Sequence, residues 1–402
     1  MLKTYYRPLG LVYGPDARRM IEEGRGGKLG GLSSVAYTMV EVIERGGGQV
    51  TRRFESYTHS HSKLFPPNHG GGIACGKEAL IRPSATFSHA SQGRWHLQQS
   101  PSPVLLGMGE GGRRPDEGSL VAICDSPSHA DEGNRPAIMG IVNVTPDSFS
   151  DGGKSAATEE AIAHGLQLAA EGADILDVGG ESTRPGSEGV PEAEELARVI
   201  PVIEALAGAG HTVSCDTRKA SVMTAALAAG ASIINDVSAL GHDPQSLSVM
   251  AAASCPIILM HAQGDPKTMQ LSPQYDDVAL DVYDALEARV EACVAAGIAR
   301  SRLIADPGIG FGKNFRHNLD VLQQFTLFHG LGVPLLVGLS RKAFIGALTG
   351  EKVAGNRVNG SVGGAVWAAL NGAQMLRVHD VKATVEALAV GLAAADPEMS
   401  GL

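Results

Sequence analysis

From residue 137 onward, short runs rich in valine and isoleucine alternate with alanine-rich stretches of amphipathic, helical spacing. This alternation is typical of a parallel sheet with crossover helices, because strands that are covered on both faces read as short continuous apolar runs. The pattern therefore predicts an α/β fold. The predicted strands are residues 137–144, 173–179, 211–216, 232–237, 256–261, 302–306, 334–339 and 375–379.

Eight strand–helix units over residues 137–402 match the size and the repeat of a (β/α)8 TIM barrel. A doubly wound open sheet is the competing architecture, but eight parallel units favour closure. The clearest helices are predicted at residues 158–171, 192–207, 218–229, 277–296 and 381–394. In a barrel, catalytic residues lie at the carboxyl ends of the strands, which directs the search for a site.

The first 136 residues have a different texture. They contain 21 of the 51 glycines and few sustained apolar periods, so they can bury little surface to offset the entropy of ordering. We expect a poorly structured extension over 1–136, partly ordered at 1–53 and flexible at 54–135. Segment 32–44 is compatible with either a strand or a helix. The chain without residues 1–130 is expected to keep most of its activity.

Two motifs in the extension are rejected as sites. Gly107–Gly112 satisfies G-x-G-x-x-G, but Arg113-Arg114-Pro115 follows it where a dinucleotide fingerprint needs a helix. His59 and His61 have serine and threonine neighbours and no second pair of ligands, so we expect them to be solvated.

Charge and cysteine content exclude several classes of protein. The net charge is −10 and the densest basic runs are pairs such as Arg52-Arg53, which argues against a nucleic-acid partner. No run approaches 18 apolar residues, so no membrane partner is expected. The N-terminus lacks the pattern of a signal peptide, and the five cysteines contain no C-x-x-C. We expect reduced thiols and a cytoplasmic protein.

Polar residues occupy the end of nearly every predicted strand. Asp216, Asn235, Asp306 and Lys342 offer acceptors and donors that suit a flat heterocycle with amino and carbonyl edges. A second set suits a polyanion, because arginine donates bidentately to phosphate. It consists of Arg184, Arg377 and His379. Asn143 has an oxygen of the kind that Mg²⁺ accepts when phosphate and water complete its shell.

Two glycine-rich loops have simpler interpretations than nucleotide binding. Residues 308–314 read GIGFGKN, but Pro307 stands at the first glycine position of a phosphate loop and Asn314 replaces its Ser/Thr. Gly152-Gly153 is expected to make the first loop flexible enough to close over a substrate.

Seven motifs occur in the order typical of the dihydropteroate synthase family, which this chain resembles. They are MGIVNVTPDSFSDGG (139–153), GGESTRPGS (179–187), DTRKA (216–220), INDV (234–237), DPGIGFGKN (306–314), GLSRK (338–342) and RVHDV (377–381). The resemblance implies a Mg²⁺-dependent (β/α)8 transferase of folate biosynthesis. It would join 6-hydroxymethyl-7,8-dihydropterin pyrophosphate to p-aminobenzoate, be a target of sulfonamides, and form a homodimer.

The resemblance also assigns roles by motif. The catalytic residues would be Asp216, Asp306 and Lys342. The pterin would be held by these three with Asn235, between Val237, Met260 and Phe311. The pyrophosphate would be held by Thr183, Arg184, Arg377 and His379, the p-aminobenzoate by Phe149, Pro185, Ser340 and Lys342, and Mg²⁺ by Asn143. Many members have Ser or Arg after the lysine of SRK, whereas this chain has Ala343.

Other functions are compatible with the same barrel. A methyltetrahydrofolate-binding methyltransferase of the corrinoid type shares the pterin socket, but it has no need of Arg184, Arg377 and His379. A catalytically inactive binding module would not need polar groups at all eight strand ends. An additional pyrophosphokinase domain is disfavoured by the irregular sequence of residues 1–136.

Overall fold

The computed structural model of the chain describes residues 2–30, 32, 34–58, 61, 135–144, 153–182, 189–264 and 269–397. The loop residues 145–152 and 183–188 and most of the predicted flexible stretch 54–135 therefore lie outside the described residues, as does the rejected motif at 107–112.

The amino-terminal residues form an antiparallel sheet with one helix. The elements are β1 (Lys3–Tyr13), α1 (Gly14–Glu22), β2 (Gly27–Lys28), β3 (Val35–Gly46) and β4 (Gln49–Ser56). β3 is the central strand, and it pairs with β1, with the two-residue β2 and with β4. Segment 32–44, open between strand and helix in the sequence, thus belongs mainly to β3. Gly47 and Gly48 join β3 to β4 at φ +59° and +76°, as a tight two-residue hairpin turn requires.

This sheet packs against the second part of the chain. Tyr5 and Ile43 belong to the same buried apolar cluster as the barrel residues Tyr283 and Phe328. The Tyr5 and Tyr283 rings meet edge to face with their centroids 5.6 Å apart. His61, expected to be solvated, is instead buried, and its Nε2 lies 3.2 Å from Glu55 Oε2. The prediction for His61 is wrong because the sheet end covers the ring.

The remaining strands form one parallel sheet that closes on itself. They are β5 (Ala137–Asn143), β6 (Ile175–Gly179), β7 (Val213–Asp216), β8 (Ile233–Asp236), β9 (Ile257–Met260), β10 (Leu303–Asp306), β11 (Leu336–Val337) and β12 (Met375–Val378). They pair in the order β10-β9-β8-β7-β6-β5-β12-β11, and a parallel bridge between Ala305 and Leu335 joins the two ends. The predicted (β/α)8 barrel is confirmed.

Helices cover the outside of this barrel. They are α2 (Gly153–Ala170), α3 (Glu192–Gly208), α4 (Ala220–Ala228), α5 (Ser246–Ala252), α6 (Val278–Ala295), α7 (Phe315–Gln323), α8 (Ala343–Thr349), α9 (Val358–Leu370) and α10 (Val381–Ala395), with a 3-10 helix at Phe325–Leu331. No helix in the described ranges is both long and apolar enough to span a bilayer.

The barrel interior changes from apolar to polar along its axis. Seven strands contribute one apolar residue each to the amino-terminal layer: Met139, Ile175, Ile233, Ile258, Ile304, Leu336 and Met375. Because side chains on a strand alternate between faces, the residue two positions on points inward again. On β6, β8, β10 and β12 that residue is Asp177, Asn235, Asp306 or Arg377. The alternation of side chains along the strands therefore places these polar and charged residues together at the carboxyl end of the barrel.

Candidate active site

A half-buried arginine between two carboxylates forms the centre of the site. Arg377 Nε donates to Asp177 Oδ2 at 2.6 Å, and Arg377 Nη2 donates to Asp216 Oδ2 at 2.8 Å. Asn235 Nδ2 donates to the same Asp177 oxygen at 3.1 Å. Arg377, predicted for the polyanion, thus also contacts Asp216, a residue predicted for the heterocycle, and among the described residues its Nη1 forms no hydrogen bond.

Asp177 is a site residue that the sequence reasoning missed. Its side chain is fully buried on β6, and its Oδ1 is buried without a hydrogen-bond partner in the described part of the chain. A signal was available, since Asp177 follows the inward-facing Ile175 by two positions and so had to point inward as well.

Burial shifts the protonation equilibrium of Asp216, one of the two carboxylates predicted for the heterocycle. It raises the pKa of Asp216 to about 7, while the positive charge of Arg377 acts in the opposite direction. A carboxyl group tuned to neutral pH inside a cleft is typical of a functional site.

Asp306 lies at the end of β10, and Lys342 lies on the loop after β11, the strand next to β12. Asp306 Oδ1 accepts a hydrogen bond from Gly308 N at 2.8 Å, and burial raises its pKa. Burial lowers the pKa of Lys342 to about 8. The Lys342 ammonium lies 4.0 Å from the centroid of the Phe311 ring, a distance suited to a cation–π contact. The structure therefore brings together the four residues predicted for the heterocycle.

The backbone before Lys342 is held in an unusual conformation. Arg341 has φ +59°, which costs energy for a residue with a side chain and persists only where neighbours enforce it. Its guanidinium pairs with Asp380 at 2.6 Å, and its backbone N–H donates to Ser361 Oγ at 2.8 Å. These contacts fix the directions in which Ser340 and Lys342 leave the chain.

Ser340 and His379 are in direct contact. Ser340 Oγ lies 3.0 Å from His379 Nδ1 and accepts a hydrogen bond from His379 N at 3.1 Å. The residues predicted for p-aminobenzoate and for pyrophosphate therefore adjoin at the ends of β11 and β12.

The loop after β10 is held by side chains at most of its carbonyl groups. Lys313 Nζ donates to Gly308 O at 3.0 Å and to Phe311 O at 3.1 Å, and lies 2.9 Å from His261 Nδ1. Gln270 Nε2 donates to Gly310 O at 2.6 Å. This arrangement fixes the Phe311 ring, and it gives Lys313, which sequence reasoning passed over, a positioning role.

Lys313 is also electrostatically unusual. Its side chain is 2% exposed, and burial lowers its pKa to about 7. Burial likewise lowers the pKa of His261 to about 3, so His261 is neutral and its Nδ1 can accept from the ammonium. No sequence motif announces this role, because it depends on carbonyl groups that only the folded loop presents.

Two apolar residues complete the predicted pterin walls. Met260 is buried at the end of β9, and Val237 is half-buried just after β8. The neighbouring Asp236 has a structural role, because its Oδ1 accepts from Ser238 N at 2.7 Å and its Oδ2 from Leu240 N at 2.9 Å.

An ion-pair network lies at the base of the loop after β6. Glu181 accepts from Arg218 at 2.6 Å and from Lys219 at 2.5 Å, and Lys219 also pairs with the buried Glu195. Burial favours the protonated acid, yet the two cations outweigh it and lower the pKa of Glu181. The loop residues Thr183, Arg184 and Pro185, and Phe149 on the first loop, lie outside the described residues.

Asn143 is the residue predicted to contact Mg²⁺. It is half-buried at the carboxyl end of β5, and its side chain forms no hydrogen bond with any described residue. Within the described ranges, no group of three or more His, Cys, Asp or Glu could hold a metal ion. These donors fit a cation only if phosphate oxygens and water supply most of its shell.

Comparison with known proteins places these residues in a family. The family model of pterin binding enzymes matches residues 139–379. Dihydropteroate synthase from Neisseria meningitidis serogroup B is 52% identical over 262 residues, covering 64% of this chain and 92% of that protein. The Escherichia coli K12 enzyme is 48% identical over 258 residues, covering 64% and 91%.

Solved structures agree with these relatives. Xanthomonas albilineans dihydropteroate synthase with 4-aminobenzoic acid superposes with a TM-score of 0.62 at 53% identity, covering 65% of this chain and 93% of that chain. The same enzyme in complex with 7,8-dihydropteroate gives a TM-score of 0.59 at 50% identity, covering 65% and 94%. Because the family model spans more than half of the chain and these relatives are matched over most of their length, the chain belongs to the pterin-binding enzyme family and, within it, to the dihydropteroate synthases.

Proposed function

We propose that the chain condenses 6-hydroxymethyl-7,8-dihydropterin pyrophosphate with p-aminobenzoate, giving 7,8-dihydropteroate and pyrophosphate for folate biosynthesis. The observation that carries this proposal is a set of four donors and acceptors at the carboxyl end of the barrel: the buried Asp216, Asn235 and Asp306 and the half-buried Lys342. It is supported by the Xanthomonas enzyme, which binds 4-aminobenzoic acid and 7,8-dihydropteroate.

The heterocycle would be recognised by complementary hydrogen bonds. The carboxylates of Asp216 and Asp306 can accept from the amino and ring N–H groups of a pterin, and Lys342 can donate to its carbonyl oxygen. Asn235 already donates to Asp177, which leaves its own carbonyl oxygen free to accept. The Phe311 ring, fixed by Lys313, would cover one face of the bicycle.

The pyrophosphate would be bound by side chains that donate hydrogen bonds to it, next to the methylene carbon of the pterin. Arg377 Nη1 and His379 are candidates, together with the predicted Thr183 and Arg184. Asn143 would hold Mg²⁺ with pyrophosphate oxygens and water. When bound, Mg²⁺ would neutralise charge that develops on the leaving group.

The reaction exchanges one bond at the exocyclic methylene carbon. The C–O bond to pyrophosphate breaks with its electron pair on the departing oxygen, and the arylamine nitrogen forms the new C–N bond and then loses a proton. Positive charge develops on the pterin as the leaving group departs. Asp216 and Asp306 are placed to stabilise that charge, which is electrostatic catalysis directed at the transition state. A neutral arylamine needs no general base to attack.

The p-aminobenzoate would lie beyond the methylene carbon, near Ser340 and Lys342, with Phe149 and Pro185 from the two loops. A sulfonamide that resembles it would compete for the same place. This is in keeping with the structure of the Yersinia pestis enzyme, which is with a sulfonamide drug complex. Ala343 is exposed at the start of α8 and has no hydroxyl to contribute.

Product formation tests the proposal directly. The protein is supplied with both substrates, with and without Mg²⁺, and 7,8-dihydropteroate is measured. We expect product that depends on Mg²⁺. Asp216→Ala should lose product formation while the barrel remains folded. Asp174→Ala is the matched control, because Asp174 lies at the opposite end of the barrel and pairs with Arg135 at 2.7 Å. Near-normal turnover by Asp216→Ala would reject the socket.

Two further predictions complete the proposed function. A cytoplasmic location fits Cys215 and Cys293, which are buried free thiols, since cysteines remain reduced in that compartment. The homodimer stays a prediction, which a measurement of molecular mass in solution tests.

A further inference from the structure

The amino-terminal sheet contacts the barrel where a helix begins next to the candidate site. Arg45 Nη1 on β3 donates to Asp281 Oδ1 at 2.5 Å, and Arg52 Nη2 on β4 donates to Asp277 Oδ2 at 3.0 Å. All four side chains are between 20% and 31% exposed. These ion pairs are therefore partly shielded from water, unlike pairs on an open surface.

Both carboxylates also organise the turn that precedes α6. Asp277 is the N-cap, and its Oδ1 accepts from Ala279 N and Leu280 N, both at 3.2 Å. Asp281 Oδ2 accepts from Asp276 N at 2.9 Å. Each acid thus gives one oxygen to the backbone of the turn and the other to an arginine of the sheet.

Tyr275, which lies just before this turn, contacts the loop that carries Phe311. Tyr275 Oη donates to Gly312 O at 2.7 Å, and its ring meets His317 edge to face at 5.0 Å. Gly312 has φ +58°, and an added Cβ would lie 2.5 Å from Gln263 O. The loop after β10 thus rests closely on the segment that leads into α6.

We propose that Arg45 and Arg52 are positioning residues that act through Asp277, Asp281 and Tyr275 to hold the Phe311 loop in place for the pterin. The inference rests on the proposed function for its substrate. It gives the extension a role in binding, whereas the sequence alone predicts that the chain without residues 1–130 keeps most activity. The contact runs through adjoining residues with no gap, from β3 and β4 to Gly312.

Steady-state kinetics of full-length variants test the proposal. Arg45→Met with Arg52→Met should raise KM for the pterin pyrophosphate by about threefold to tenfold, because the loop samples other positions. KM for p-aminobenzoate and kcat should stay near their wild-type values. The single variant Arg45→Lys can still pair with Asp281, so its KM for the pterin pyrophosphate should stay close to the wild-type value.

Arg18→Met is the matched control. Arg18 also joins the extension to the barrel, through Asp396 at 2.6 Å, but Asp396 follows α10 at the far end from the site. We expect this variant to lower thermal stability without changing KM for the pterin. A rise in KM equal to that of the double variant would overturn the proposal, because docking in general would then be the cause. An unchanged KM in the double variant would overturn it as well.

Hydrogen exchange supplies a readout that does not depend on turnover. The double variant should exchange amide protons faster over residues 269–277 and 308–312 than either the wild type or Arg18→Met. Absence of dihydropteroate with the wild-type protein would reject the proposed function alone, while unchanged exchange in these two segments would reject the positioning role.

Discussion

At the carboxyl end of the barrel, Asp216 and Asp306 are buried and Lys342 is half-buried, and burial moves the pKa of each toward neutrality. In the amino-terminal sheet, Lys3 and Arg45 each face an acid of the barrel, and their side chains are 40% and 24% exposed. At the barrel end, the charged groups have lost much of their solvation, which lowers the stability of the fold. In the sheet, the charged groups form ion pairs that favour packing of the sheet against the barrel.

The difference follows from what each region has to do. A buried charge binds a ligand strongly because its own solvation is already lost, and that loss reduces the stability of the folded chain. A paired charge at an interface orients two surfaces and leaves little attraction for a ligand. Substitutions in the barrel end should therefore change activity more than stability. Substitutions in the sheet should do the reverse, apart from the modest rise in KM expected at Arg45 and Arg52.

The largest effect is expected at Asp306 and Lys342. Asp306→Asn or Lys342→Met should lower kcat/KM by about 1,000-fold or more, because each removes a charge aimed at the pterin where water is excluded. The melting temperature should stay the same or rise. Turnover within about tenfold of wild type, in protein shown to be folded by circular dichroism, would contradict the comparison.

Lys313→Met should give the next largest change. Loss of the donors to Gly308 O and Phe311 O frees the loop, so KM for the pterin should rise by about tenfold. Lys28→Met, an exposed lysine of the sheet, is the control and should leave KM unchanged.

The pH dependence of stability gives Lys313 a second test. Because burial lowers its pKa to about 7, the folded chain binds fewer protons than the unfolded chain between pH 7 and the ordinary lysine value. Stability therefore rises with pH across that window, by up to about 1.4 kcal/mol per pH unit for one group. Denaturant titrations should show a flatter rise in Lys313→Met, with Lys342 supplying what remains. An equal slope in both proteins would show that Lys313 stays charged.

Much of the barrel could be predicted because its strands are covered on both faces. The observed strands lie within the predicted ones to about two residues at either end, since a continuous apolar run has few other interpretations. Helices α5 and α8 were not predicted, as each has only 7 residues, too few for the helical period to repeat.

The sheet could be predicted only in part, for the same physical reason. β3 is buried at most positions over Val35–Ile43, and apolar residues spaced as they are in this 12-residue segment do not distinguish a strand from a helix. Its charged contacts are harder still, since Arg45 and Asp281 lie 236 positions apart. In the site, residues at strand ends were predicted, while Asp177 within a strand and Lys313 within a loop were missed.

Tyr5 offers a test of the opposite sign, with a large effect on stability and a small one on turnover. Tyr5→Ala removes a ring that is 2% exposed and should lower the free energy of unfolding by about 3 kcal/mol. Tyr5→Phe keeps the ring and loses the hydrogen bond to Asp284 Oδ2 at 2.9 Å, which costs about 1 kcal/mol. Both variants should keep kcat at a temperature where they are folded. A loss of kcat in Tyr5→Phe would mean that the two regions are less separate than their charges indicate.

The smallest expected effects come from two adjacent arginines of α1. Arg18 pairs with Asp396, which is 2% exposed, whereas Arg19 pairs with Asp16 within the same helix, and both of those side chains are more than 60% exposed. Arg18→Met should cost about 1–2 kcal/mol, because a buried carboxylate loses its guanidinium. Arg19→Met should change stability by less than about 0.5 kcal/mol, since water and salt already screen that pair. Thermal unfolding of both variants at low and high salt measures the two costs. The comparison is internal to one helix, because α1 carries both the arginine that pairs with the barrel and the arginine that faces solvent. Equal costs would remove the distinction between paired charge that joins the two regions and charge that merely faces solvent.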